Sequence, residues 1–274
     1  MKDLSVGGVK MKVNFGNVAK NYAQFRNDLP IELLESLKLR GINFNNKKVA
    51  DLGSGTGVLT RALHKEGAIV VGVEPSKELI QEAKELDKNA GNTIEYVNAF
   101  SESTTLQEDT YDYVTVLRAW HWFDREKTLT EIKRILKDNG SLIVMDSGFT
   151  SRSKVVVDTL EIISKHMPGG KLKSAGSKAN SKQRINSFPV DWFNEWQEHQ
   201  FELQETYKFN YNVTFTNEKW IGRVGSLSWL SSFDENERSH ILTEVYNHLE
   251  KEYKGIKHNI QHGCYITVLG RPEK

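Results

Sequence analysis

An open α/β sheet with helices on both faces is the fold this sequence predicts, and three observations predict it. Between residues 30 and 146, short β-branched runs alternate with helix-period segments. The first run, VADL, passes into GSGTG and then into an amphipathic segment, so a buried strand becomes a helix through three glycines in five residues. The chain has 274 residues, 38% of them hydrophobic, enough to bury a large core without a disulfide or metal staple. Strand–helix alternation at this spacing means parallel strands joined by right-handed crossovers.

In chain order, Pro30 suits the first turn of a helix running to about Gly41. The runs KKVADL (47–52), AIVVGVE (68–74), TIEYVN (93–98), YDYVTVL (111–117) and SLIVMD (141–146) read as strands. Between them Val58, Leu59, Ala62 and Leu63 share one helical face, as do Leu79, Ile80, Ala83 and Leu86, and again Leu129, Ile132, Ile135 and Leu136. Gly67, Gly91 and Gly140 follow these helices, where a left-handed C-cap is expected. The rhythm then breaks. KVVVDTLEIISKHM reads as a helix, GGKLKSAGSKANSK as a mobile surface loop, and FPVDWFNEWQEHQF is an aromatic cluster. ELQETYKFNYNVTF reads as a strand and two helices follow, the second opening on Ser232 and Glu235 in capping-box spacing, with Ile241, Leu242, Val245 and Leu249 on one face. CYITVLG (264–270) is the closing strand.

Lys plus Arg number 37 and Asp plus Glu 36, with neither sign strongly clustered, which argues against a nucleic-acid or anionic-membrane surface. Cys264 is the single cysteine, so no intrachain disulfide forms and a reducing compartment is expected. The first residues hold no apolar signal core, and the longest apolar runs are too short to span a bilayer. These features predict a soluble cytoplasmic protein. No His/Cys/Asp cluster has metal-ligand spacing, so no metal is expected.

In open α/β sheets ligands bind beyond the carboxyl ends of the strands, where the strand order reverses. Glycines there permit positive φ and close approach of backbone to ligand, and the next helix offers unpaired N–H groups. GSGTG is a nucleotide-type loop on these grounds. Its G-x-G-x-G spacing puts Val58 where a dinucleotide fingerprint needs a third glycine, and no Lys-Ser/Thr follows to make a P-loop. The second strand ends in Glu74, whose carboxylate can accept from both hydroxyls of a ribose.

VADLGSGTG, followed in order by VVGVEPS, YDYVTV and EIKRILKDNGSLIV, resembles the class I S-adenosylmethionine-dependent methyltransferases, most closely the type 11 methyltransferase domain, over residues 15 to 147. AWHWFD (119–124) and NFGNVAKNYAQFRNDLP narrow the likeness to small-molecule enzymes that include the trans-aconitate type. The resemblance implies a Rossmann-like sheet of seven strands, mostly parallel with the last antiparallel, and a helical cap inserted after the fifth strand. It divides the chain into an N-terminal lid and helix (1–46), an S-adenosylmethionine-binding core (47–147), an inserted cap (148–200) and a C-terminal part completing sheet and cap (201–274). It implies that Gly53, Ser54, Gly55 and Gly57 wrap the methionine part of the cofactor and that Asp51 orders its amino group. Glu74 would hold the ribose, with Pro75 and Ser76 beside the adenine. Ala99, Phe100 and Ser101 would border the adenine on its other side. Phe100 departs from the family pattern, which has an acid there to accept from the adenine amino group. Tyr22 and Arg26 match lid positions over the cofactor, Arg26 suited to pair with a carboxylate.

Methyl transfer from a sulfonium is an in-line displacement whose leaving group is already activated, so alignment is the protein's main task. The fourth strand delivers Leu117, Arg118 and Ala119 against the cofactor, with Trp120, His121 and Trp122 next to it. His121 reads as a base, an acceptor contact or a structural histidine, and the two tryptophans as wall or core. Arg223, with Trp220 and Trp229, and His262 are candidates to bind an anionic small-molecule acceptor, which as a carboxylate needs no base at neutral pH. A binding module that keeps the cofactor pocket but has lost catalysis is the rival reading. A nicotinamide-dependent oxidoreductase is disfavoured by the glycine spacing.

Overall fold

The computed structural model describes residues 5–6, 9–10, 29–172, 176–227, 229–230 and 233–271. Seven strands form the sheet: β1 (Lys48–Leu52), β2 (Ile69–Val73), β3 (Glu95–Val97), β4 (Tyr111–Leu117), β5 (Leu136–Phe149), β6 (Glu202–Phe215) and β7 (His258–Gly270). Their spatial order is β3-β2-β1-β4-β5-β7-β6. The pairings among β1 to β5 are parallel, and β7 runs antiparallel to both β5 and β6. The order reverses between β1 and β4, so a crevice is expected at their carboxyl ends.

Both faces of the sheet are buried, which is why its parallel strands read as near-continuous apolar runs. On one face Ala50, Leu52, Val114 and Val116 pack under helix α4 (Arg125–Ile135) and helix α6 (Val190–Glu198) through Leu129, Ile132, Trp192 and Trp196. On the other, Val49, Val70, Ile143 and Met145 meet Leu33 and Leu37 of α1 (Glu32–Lys38) and Leu59 and Leu63 of α2 (Val58–Lys65). Helix α3 (Lys77–Asn89) covers the β2–β3 edge with Ile80 and Ala83 against Tyr96. The cap has its own core, formed by α5 (Lys154–His166), α7 (Asn217–Gly225) and α8 (Glu235–Glu252) with Phe215 and Ile260 at the ends of β6 and β7. Among the described residues no helix is long and apolar enough to cross a membrane.

Several boundaries differ from the sequence reading. Gly140 does not cap a helix: β5 begins at Leu136, immediately after α4, and Asn139 takes the positive φ of 62°. Leu136 pairs with Tyr111, and the next bonded pair is Ser141 with Tyr113, so residues 137–140 bulge out of the ladder. The capping box of α8 is formed by Asp234 and Glu237, not by Ser232 and Glu235; Ser232 lies outside the described residues. The aromatic cluster after residue 188 is core, with Trp192 and Trp196 each 1% exposed. The loop expected to be mobile holds a 3-10 turn, Gly176–Asn180, in which Lys178 is buried.

Arg125 ties α6 to α4, its guanidinium gripping the Glu195 carboxylate with two bonds of 2.5 and 2.6 Å. Both side chains are partly exposed, so Glu195→Gln is expected to cost about 1 kcal/mol, less in high salt. Urea denaturation at two ionic strengths checks this.

Candidate functional site

All three loop glycines have positive φ, 67° at Gly53, 57° at Gly55 and 76° at Gly57, but for different reasons. A Cβ on Gly53 would stand 2.6 Å from the Ala119 Cβ, and one on Gly57 would stand 2.2 Å from the Tyr96 hydroxyl. A Cβ on Gly55 would meet nothing within 4 Å. Gly53 and Gly57 are therefore glycines for packing, and Gly55 is the one that faces open space. The Gly53 and Ser54 amides donate to the Val73 carbonyl at 2.8 and 3.1 Å and bind the loop to β2. The open cleft in front of it is lined by Asp51, Gly53, Ser54, Gly55, Thr56, Val58, Leu59, Leu117 and Arg118.

Two carboxylates flank the loop. Asp51, 1% exposed at the end of β1, accepts from the Thr60 hydroxyl at 2.6 Å and the Thr115 hydroxyl at 3.0 Å. Burial pushes its pKa up to about 6 against the support of those two bonds. Glu74, 7% exposed, accepts from the Gly55 amide and the Ser76 amide, both at 3.0 Å. Burial also raises the pKa of Glu74, while those two amides oppose the rise. Glu74 thus sits where the sequence puts it and also braces the glycine loop. The buried hydroxyls of Ser54 and Thr56 have no protein partner among the described residues.

At the rim, the Asn98 side-chain amide donates to the carbonyls of Glu74 and Pro75 at 3.1 and 2.8 Å, and Ser76 caps α3 by accepting from the Leu79 amide. Ala99 is half-buried and Phe100 is 67% exposed beside this rim. The Ser101 hydroxyl is turned inward, to Glu102 and Thr128, leaving only its backbone for a rim role.

Beyond β4 the backbone turns sharply at Arg118, whose φ is 58° while its amide donates to the Met145 carbonyl at 2.9 Å. Ala119 packs on Gly53. Trp120 does not contact the cleft as wall: it is 2% exposed, in the core, its ring 6.1 Å from Trp196. The 3-10 turn Trp120–Trp122 puts positions 120 and 123 on one side, so Trp120 and Phe123 pack together, Trp122 faces outward and the partly buried His121 ring lies beside Gly176. Trp122 is 60% exposed, and the His121 carbonyl accepts from the Ser177 hydroxyl at 3.3 Å.

Under the cap the structure gathers the distant candidates around Phe149, the last residue of β5. The Arg223 guanidinium, on a residue 2% exposed, lies 5.9 Å from the Phe149 ring and donates to the Ser226 hydroxyl at 3.4 Å. The fully buried His262 ring stands 6.2 Å from Phe149 and 5.2 Å from Tyr211, with Nδ1 3.0 Å from the Ile260 carbonyl. Trp229 is 6.5 Å from Phe149. Trp220 belongs to the cap core, its indole N–H donating to Thr159. Sequence reasoning missed Phe149, the buried Ser147 hydroxyl, which has no protein partner among the described residues, and the ion pair of Asp146 with Lys178. Position alone could have found Asp146, which ends the fifth apolar run as Glu74 follows the second. Tyr22 and Arg26 lie outside the described residues.

Comparison with known proteins agrees with this layout. A family model described as "Methyltransferase domain" matches residues 50–144. A Dictyostelium discoideum protein named as a methyltransferase is 33% identical over 144 residues; the match spans 51% of each chain, so this chain covers about half of that relative. The ubiquinone biosynthesis O-methyltransferase of Histophilus somni is 30% identical over 169 residues, 57% of this chain and 71% of the relative. A Haemonchus contortus phosphoethanolamine N-methyltransferase, solved with phosphomonomethylethanolamine and S-adenosylhomocysteine, shares the fold at a TM-score of 0.54 and 15% identity, over 96% of this chain and 58% of that one.

Proposed function

The chain belongs to the methyltransferase-domain family of class I S-adenosylmethionine-dependent methyltransferases, and from that premise we propose that its acceptor is a small anionic molecule, a carboxylate of the trans-aconitate kind, methylated on oxygen. The single observation that carries the acceptor reading is the buried Arg223 guanidinium at the carboxyl end of β5, beside Phe149 and His262. A buried cation over an aromatic wall favours an anion with an apolar body. The likeness to an O-methyltransferase supports oxygen as the atom methylated.

The donor set of the cleft fits the cofactor. Open space stands over Gly55, the loop holds two hydroxyls without a partner among the described residues, and Asp51 and Glu74 flank it. Bound there, S-adenosylmethionine supplies a methyl group on a positively charged sulfur. Asp51 would hold the cofactor's ammonium group and Glu74 its ribose hydroxyls, while Arg118 and Ala119 form the wall between cleft and cap. Arg223 would draw the acceptor's negative charge and leave a carboxylate oxygen free to attack. A carboxylate is ionised at pH 7, so His121 would orient rather than deprotonate it.

A panel of small carboxylates, phenols and amines offered with methyl-labelled cofactor tests the reading. With a carboxylate as acceptor, Arg223→Met, which keeps the buried volume, is expected to raise KM about tenfold and to change kcat much less. His121→Ala is expected to stay within about threefold of the wild-type kcat, because no proton must leave the acceptor. A neutral acceptor whose turnover collapses in His121→Ala would make that histidine the base and overturn the proposal.

A further inference from the structure

Lys178 is 7% exposed, although its neighbours in GSKANSK are all small or polar. A buried ammonium needs a compensating charge. Its Nζ pairs with Asp146 Oδ2 at the carboxyl end of β5, and the Phe188 and Trp192 rings lie 6.0 and 5.7 Å from it. The second Asp146 oxygen accepts from the Ser147 amide at 3.0 Å. The side chains of the pair are only 9% and 19% exposed, so salt screens it weakly.

The turn bearing Lys178 is fastened at a second point. Gly176 has φ of 53°, and a Cβ there would stand 2.2 Å from the His121 carbonyl oxygen. The Ser177 hydroxyl donates to the same oxygen. The 176–180 turn therefore lies directly on the 120–122 turn. That second turn lies in the same way on the cofactor loop, because a Cβ on Gly53 would stand 2.6 Å from Ala119 Cβ and 3.1 Å from Phe123 Cζ. Three contacts thus run in series from β5 to the cleft: Lys178 on Asp146, Gly176 on His121, and Ala119 with Phe123 on Gly53. At the two closest approaches only a glycine fits, so neither contact has slack to absorb a displacement.

We propose that the Asp146–Lys178 pair is a latch that positions the cofactor loop: by anchoring the 176–180 turn on β5 it holds the 119–123 turn against Gly53, so that closure of the cap insert and order of the S-adenosylmethionine cleft are one event. The inference rests on the cofactor and not on the identity of the acceptor. Lys178 and Asp146 are positioning residues, acting through the backbone of two turns.

The test measures amide hydrogen exchange of the full chain, without ligand and with S-adenosylhomocysteine, together with calorimetric titration of that ligand. Asp146→Asn and Lys178→Met are expected to raise exchange about tenfold in segments 176–187 and 118–124, leaving 48–52 and 69–73 unchanged. Both are expected to weaken S-adenosylhomocysteine by about five- to tenfold, and the double variant to be no worse than the poorer single one, since both break one contact. Lys178→Arg keeps the charge and is expected to retain both protection and affinity, which a purely space-filling role would not predict over Met. Gly176→Val leaves the pair intact and is expected to loosen the same two segments, so the test stands even if Lys178→Met fails to fold. Exchange that rises only in 176–187, or affinity that stays at the wild-type value in Asp146→Asn, would overturn the proposal. The unliganded exchange tests the latch without reference to cofactor binding, so its failure is distinguishable from failure of the cleft assignment.

Discussion

Gly55→Val is expected to lower the affinity for S-adenosylhomocysteine by about 100-fold or more while leaving the melting temperature within a few degrees of wild type. Gly55 has φ of 57° and nothing within 4 Å of the position a Cβ would take, so the new side chain projects into the cleft and not into the core. A β-branched residue at positive φ adds about 1–2 kcal/mol of strain, which the loop relieves by moving. Either response removes the backbone surface on which the cofactor would lie. Glu74→Ala should reach a similar end by another route. It deletes a carboxylate that accepts from the Gly55 and Ser76 amides, and would accept from the ribose when the cofactor is bound. Two charge-assisted bonds at about 1.5–3 kcal/mol each give at least a tenfold loss. Gly57→Ala is the control of opposite character, because its Cβ strikes the Tyr96 hydroxyl at 2.2 Å and the Arg61 guanidinium at 2.9 Å. It should lower stability first. Titration calorimetry and thermal melts on the three variants separate the outcomes, and wild-type affinity in both Gly55→Val and Glu74→Ala would place the cofactor elsewhere.

The parallel core and the glycine loop were legible because their signals are local. A strand buried on both faces must be apolar along nearly its whole length, as in IVVGV and in VADL apart from Asp51, and a loop that needs positive φ three times favours glycine. What was not legible depends on contacts distant in sequence. Gly140 reads as the C-cap of a helix, yet it lies in a bulge whose flanking residues both belong to β5. In WHW the hydrophobicity of the two tryptophans is equal, and only the handedness of the 3-10 turn sends Trp120 inward and Trp122 outward. Lys178 looks like a solvated loop residue until Asp146, 32 positions earlier, is beside it. Arg223 and His262 were joint candidates for an acceptor with nothing local to place them side by side, and the cap core brings both to Phe149.

The pH dependence of cofactor binding should run opposite to that of stability, and Asp51 is the group that makes it so. Burial lifts its pKa from the ordinary 3.8 to about 6, so between those values the folded chain holds a proton that the unfolded chain has released. By linkage, stability then falls as pH rises through that window, by an amount on the order of 3 kcal/mol at about 1.4 kcal/mol per unit. A carboxylate that is costly to ionise in the empty protein gains a partner when a cation arrives. The ammonium group of S-adenosylhomocysteine is such a cation, and bound as proposed it would require the ionised form of Asp51. Affinity is therefore expected to rise about tenfold from pH 5 to pH 7, levelling off above the Asp51 pKa, with a proton released on binding below it. Glu74, also raised by burial, adds dependence of the same sign, so the wild-type profile alone does not isolate one group. Asp51→Asn does, because it keeps the shape between the Thr60 and Thr115 hydroxyls and removes the titration. That variant should be more stable than wild type at pH 7, should bind S-adenosylhomocysteine more weakly there, and should lose most of the rise in affinity between pH 5 and pH 7. Calorimetry in buffers of different ionisation enthalpy reads the released proton directly. If Asp51→Asn retains the full pH dependence of binding, the ammonium group does not rest on Asp51, and the two buried threonine bonds alone account for that carboxylate.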